Sequence, residues 1–163
     1  MTQKDNINFI FQFNNKKRST NFFLLYIASG VIFLGAAFYF VAKNMNYPLI
    51  ATIVAAVAYF IAFNKIKPSF FEMLVTEEKL QLNYYSVSSA VRTYQSVEIP
   101  LNELKDFAVV KNFMGLRRNL IVSVSSKYGI ADYPPISVSI LKKKEKAQII
   151  HVLNQIIKAN AEP

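Results

Sequence analysis

The chain of 163 residues has no cysteine, a single histidine (His151), four glycines and only one charged side chain between residues 22 and 64. Each shortage closes off a kind of chemistry. Without cysteine there are no disulfides, no thiolate metal ligands and no thiol to carry an acyl anchor, and the redox compartment stays open. One histidine and no cysteine leave neither a His/Cys metal set nor a Cys–His pair for nucleophilic catalysis. Gly30, Gly35, Gly115 and Gly129 are too dispersed for a phosphate-cradling loop. The carboxylates beyond residue 64 are spread over turns and strand faces, and the adjacent Glu77 and Glu78 point apart into water. His151 falls on the polar face of the last helix. The expectation is therefore a protein that is not an enzyme, with no catalytic residues, no cofactor and no metal site.

What the sequence has in excess is apolar length. Hydrophobic residues make up 53% of the chain and charged residues 18%, too apolar a balance for a disordered protein. Phe22 to Ala42 is an unbroken run of 21 uncharged residues. At 1.5 Å per residue it spans about 31 Å, close to the roughly 30 Å hydrocarbon core of a bilayer. Twelve of its residues are Leu, Ile, Val or Phe, which favours insertion by about 4–7 kcal/mol before other contributions. A second run, 47–63, has eight such residues and lies only a short linker away, so the two helices are antiparallel. Pro48 suits a first-turn position, and Tyr26, Tyr39, Tyr47 and Tyr59 include candidate interfacial anchors. The chain divides into a segment 1–21, a membrane hairpin 22–64 (helices 22–42 and 47–63) and a domain 65–163.

Charge fixes the expected orientation. Lys16, Lys17 and Arg18 precede the first helix, Lys65 and Lys67 follow the second, and Lys43 alone lies between them. By the positive-inside rule both termini are cytoplasmic. No charged side chain sits at mid-depth, so no proton relay or ion path is visible. Small residues suggest helix packing instead. Ala51, Ala55, Ala58 and Ala62 form a stripe at i, i+4, i+7 and i+11, and Ala28, Gly35 and Ala42 form a matching seam seven residues apart. The expected occupants of these faces are the other helix of the hairpin, a membrane-protein partner or a second copy of the chain.

The stretch 7–15 alternates Ile7, Phe9, Phe11 and Phe13 with Asn8, Ile10, Gln12 and Asn14, which predicts an extended segment. It is placed at a sheet edge of the following domain or of a partner, or at the lipid interface. After Pro68 the pattern becomes short strands divided by turns: 69–76, 80–87, 91–99, 104–111, 119–126 and 136–141. The chain ends in a helix over 142–159, with Ile149, Ile150, Val152, Leu153, Ile156 and Ile157 on one face. Short antiparallel strands followed by an amphipathic helix favour a barrel or sandwich over a doubly wound sheet.

Three stretches carry a resemblance: V-E-I-P-L-N-E-L-K-D-F (97–107), L-I-V-S-V-S-S-K-Y-G (120–129) and P-P-I-S-V-S-I-L-K-K-K-E-K (134–146). With the preceding hairpin they resemble the bacterial pleckstrin-homology-like (PH-like) family of membrane-attached proteins, over about residues 70–158. The resemblance implies an α+β, mainly β domain, an antiparallel half-open barrel capped by the C-terminal helix, at a bacterial inner membrane. It implies a scaffolding role and little chemistry. Two basic features remain. Lys142, Lys143 and Lys144 open the last helix, where the macrodipole disfavours cations by roughly 0.3–1 kcal/mol each and an anionic bilayer offsets that by about 1 kcal/mol per Lys. Arg117 and Arg118, beside Phe113, Met114 and Leu116, suit a lipid-headgroup or partner contact. The expected partners are the lipid bilayer, anionic lipid and membrane protein, and the membrane tether argues against nucleic acid.

Overall fold

The computed structural model describes residues 10–87, 93–112, 115–126 and 129–161, and its first element is a strand. Strand β1 (Phe11–Asn14) runs through Asn15 into helix α1 (Lys16–Ala42). After a turn at Lys43–Met45, where Asn44 adopts a positive φ of 55°, helix α2 (Asn46–Ile66) runs back. It delivers the chain to β2 (Ser69–Val75), which pairs antiparallel with β1 from Phe11↔Val75 to Asn14↔Glu72. The helical hairpin is thus inserted between two neighbouring strands of one sheet. The extended reading of 7–15 is met over Phe11–Asn14, with Phe11 and Phe13 against the core and Gln12 and Asn14 exposed.

Two antiparallel sheets follow. The first has the order β1-β2-β3-β4, where β3 is Lys79–Ser86 and β4 is Gln95–Pro100. A 3-10 turn, Leu101–Glu103, leads into the second sheet, built from β5 (Leu104–Asn112), β6 (Arg117–Ser126), β7 (Gly129–Asp132) and β8 (Ile136–Ser137). There β6 pairs β5 on one side, and β7 and β8 share its other side. Pro134 and Pro135 separate those last two strands, because proline has no N–H to give the ladder. The register on β6 slips by one residue across that gap, from Ser123↔Asp132 to Leu120↔Ile136. In β5 a bulge between Leu104 and Asp106 changes the side-chain parity, so that Leu104 and then Phe107 and Val109 all turn to the core.

The core lies between the sheets and helix α3 (Lys143–Ala161). Phe71, Met73, Leu80, Leu82, Ile99, Leu104, Leu120, Val122 and Leu153 are almost wholly buried there. Ile149 and Leu153 are the most buried part of the predicted helical face. At its far end α3 is tied to the second sheet by Asn160, whose Nδ2 donates to the Leu104 carbonyl at 3.0 Å. The fold class is therefore two apolar helices, two antiparallel sheets and a C-terminal helix.

Several boundaries differ from the sequence reading. The first helix starts at Lys16 rather than Phe22, and the second runs on to Ile66. The expected strand 136–141 is only Ile136–Ser137 long, because Leu141 N–H bonds back to the Val138 carbonyl at 3.3 Å and bends the chain toward α3. Strand β7 was not expected. The segment expected as a strand from residue 91 lies partly outside the described residues, as do Phe113 and Met114.

Candidate interaction surfaces

The hairpin meets the domain through a set of polar contacts centred on Asn15. Its side chain is 6% exposed. In a regular ladder Phe71 N–H would bond to the Asn15 backbone carbonyl, but that carbonyl already accepts from Ser19 N–H at 2.9 Å as the first bond of α1. The Asn15 side-chain oxygen takes its place and accepts from Phe71 N–H at 2.8 Å. Its Nδ2 donates to the Ser69 carbonyl at 3.1 Å, and its own N–H donates to the Phe71 carbonyl at 3.1 Å. One side chain thus extends the sheet into the first turn of a helix. Nearby, Arg18 donates to Glu145 at 2.8 Å and to the Ile140 carbonyl at 3.1 Å. Ser137 Oγ donates to the Lys67 carbonyl at 2.8 Å, tying α2's end to β8. Pro68, Ser69 and Phe63 are buried at this junction. The hairpin is packed on the domain at both of its ends.

Within the hairpin the contact is aromatic. Tyr26 lies 5.3 Å from Phe60 and 4.8 Å from Phe63 between ring centres, and Phe33 lies 5.8 Å from Tyr59. Gly30 faces this contact, since a Cβ there would meet the Phe60 ring at 3.8 Å. The small-residue seams do not make this contact, so of their expected occupants the other helix of the hairpin is not the one seen here. Ala28, Gly35 and Ala42 of α1 and Ala51, Ala55, Ala58 and Ala62 of α2 are all exposed, and a Cβ added at Gly35 would meet nothing within 4 Å. The reason is geometric. Large rings at Tyr26, Phe33, Phe60 and Phe63 bury more area between two helices than methyl groups do, so the alanine faces are turned outward. Both helices are long and apolar enough to cross a membrane. An apolar groove of about 540 Å³ runs between them, lined by Gly30, Phe33, Ala37, Ala56, Val57 and Phe60 among others.

The structure brings the predicted basic features together. Arg118 sits at the start of β6, its N–H bonded to Ser139 Oγ at 3.0 Å and its carbonyl accepting from Val138 N–H at 2.8 Å. The chain then reaches Lys142, whose N–H donates to Glu145 Oε2 at 2.7 Å. This carboxylate-to-N-cap bond closes the first turn of α3 as in a capping box. Glu145 is the same group that holds Arg18, so Lys142, Lys143 and Lys144 open α3 beside the hairpin base. Lys146 is held below the ordinary lysine value, first by burial and then by the Arg118 guanidinium, partly offset by Glu145. Arg117, Arg118 and the three lysines thus lie at the end of the domain from which the helices emerge. Leu116, the described apolar neighbour on that loop, is 55% exposed.

A polar cleft of about 280 Å³ opens at the same end, between β2–β3 of the first sheet and β6–β8 of the second, with Lys67 and Arg117 in its lining. At the opposite end, a cleft of about 410 Å³ is lined by Glu103, Ser125, Ser126 and Asp132; Asp132 there accepts from Ser123 Oγ at 2.6 Å. Among the described residues no three His, Cys, Asp or Glu side chains converge as a metal would need. No local pattern marks Asn15, Ser137 or Glu145 as junction residues, because their partners are 54 to 127 positions away. No known protein family, curated protein or solved structure matches the chain.

Proposed function

We propose that the chain is a non-catalytic interaction module, a PH-like domain held at the cytoplasmic face of a bacterial inner membrane by its own two-helix anchor. The observation that carries this reading is the pairing of β1 with β2 around the hairpin. It makes the anchor part of the domain's sheet, so the domain's orientation to the bilayer is set by packing rather than by a loose linker. The basic residues at the hairpin base agree with a cytoplasmic, anionic surface. Reporters fused to the two ends are expected on the cytoplasmic face together, and the chain should stay in membranes through alkaline carbonate. Ends on opposite faces, or release by carbonate, would refute the reading.

A second reading is favoured by one specific observation, the outward alanine stripe. In it the chain is a small accessory subunit of a larger inner-membrane complex such as a transporter, a secretion apparatus or an ion-driven motor. Small residues let a foreign helix approach closely. Purification in mild detergent separates the two. A stoichiometric membrane partner that is lost in the Ala55→Leu plus Ala58→Leu variant supports the subunit reading, while purification without one supports the free-standing module.

A further inference from the structure

The cleft beside Lys67 has no assigned role, and its composition is unusual for its position. Its lining combines Lys67 and Arg117 with the hydroxyl-bearing Ser69, Tyr84 and Ser137, and among the described residues it includes no carboxylate. Lys67 makes no ion pair among the described residues, since the bridges there are Arg18–Glu145 and Lys79–Glu98. Arg117 spends one donor, Nε, on Asn119 Oδ1 at 3.1 Å. Four guanidinium donors remain in a planar fork suited to a phosphate. The cleft's place in the fold matters equally. Lys67 directly follows Ile66, the last residue of α2, so the opening lies at the level where an apolar helix ends and headgroups begin.

The geometry points to this cleft as a binding site for the headgroup of an anionic phospholipid, an inference that rests on the membrane reading above. Lys67 and Arg117 hold the phosphate, and the hydroxyl of Tyr84 supplies a further donor; the Ser69 hydroxyl is already spent on the Lys67 carbonyl at 3.1 Å. Selectivity follows from charge. A phosphatidylglycerol headgroup is anionic and carries no ammonium, whereas the ammonium of a choline or ethanolamine lipid would approach two cations with no carboxylate among the described lining residues to receive it. Free inorganic phosphate offers the same oxygens but lacks the bilayer, which concentrates the lipid at the cleft's mouth.

The full chain is first floated with vesicles; a chain that fails to float sinks the membrane reading itself. The floated chain is then transferred to mild detergent and titrated with short-chain phosphatidylglycerol, short-chain phosphatidylcholine and inorganic phosphate, with binding followed by native mass spectrometry. Phosphatidylglycerol is expected to bind at one saturable site, at least about 10-fold more tightly than either other probe. Lys67→Asn suits the left-handed backbone there (φ 47°). Combined with Arg117→Gln it should weaken that binding about 30-fold, and alone about 5-fold. The remote pair Lys105→Gln and Lys158→Gln removes equal charge and should change it less than about 2-fold. Equal weakening by the remote pair, equal affinity for phosphatidylcholine, or equally tight inorganic phosphate would each overturn the inference in a chain that floats.

Discussion

Replacing Asn15 by alanine tests whether the anchor and the sheet are one unit. The change removes no helix cap in the usual sense, since the Asn15 side chain makes no bond to the first turn of α1. It removes two bonds to β2, from Phe71 N–H at 2.8 Å and to the Ser69 carbonyl at 3.1 Å. Phe71 is fully buried and Ser69 nearly so, and alanine offers neither group a replacement. A buried donor or acceptor left unpaired costs about 1–3 kcal/mol, and some water entry at the junction keeps the pair nearer the lower end, about 2–4 kcal/mol in total. That corresponds to a rise of about 30-fold or more in local opening. Hydrogen exchange read on a peptide covering 69–75, with the chain in nanodiscs, measures it directly. Gln12→Ala, on the exposed side of β1, is the control and should shift stability by less than about 0.5 kcal/mol. If β2 stays equally protected in Asn15→Ala, or if Gln12→Ala loosens it as much, the junction is not held in the way argued.

Two other perturbations have definite signs. The Arg18–Glu145 bridge is 2.8 Å long with both side chains 24% exposed, so a double-mutant cycle with Arg18→Gln and Glu145→Gln should give a coupling of about 1 kcal/mol that shrinks as salt rises; a coupling near zero would remove this contact from the junction. Lys146 has its folded-state pKa lowered from 10.5, by burial first and then by Arg118. A lowered lysine opposes folding while protonated, so its contribution should rise with pH from just below the folded value up to the unfolded one and be flat below that window. Lys146→Met should lose this upward slope, and an unchanged slope in the variant's pH-stability profile would assign the titration elsewhere.

The two apolar helices could be read from the sequence because their long runs without charge stand out by hydropathy alone. Helix ends could not, since Lys16–Asn21 is polar and becomes helix only because α1 continues down onto β2 at the buried Ser19. The alternation of Phe11 and Phe13 announced an extended segment, but its partner lies past the whole hairpin and no local pattern names it. Small-residue spacing did not say which of its expected occupants would meet it, for a physical reason. Seven-residue repeats of Ala and Gly mark a face that allows close approach, and the rings of Tyr26, Phe33 and Phe60 filled the internal contact first. Strand β7 escaped because all four of its residues, Gly129–Asp132, are exposed, so no hydrophobic period betrays it. The basic residues were visible as types. Their convergence with the hairpin base depends on β8 and the bend after it, which only the tertiary fold supplies.

The insertion of α1 and α2 between β1 and β2 dictates an order of events during synthesis. Phe11 leaves the ribosome 64 residues before its ladder partner Val75, a wait of roughly 3–13 s at ~5–20 residues per second. Throughout that wait the strand's aromatic face has no mate within the chain. The two helices contact each other locally and so associate early, which carries the ends of a long loop to within pairing distance and removes most of the entropic penalty of closing it. Strand β1 is therefore made before the hairpin and paired only after it, while β3 and β4 join the sheet later still.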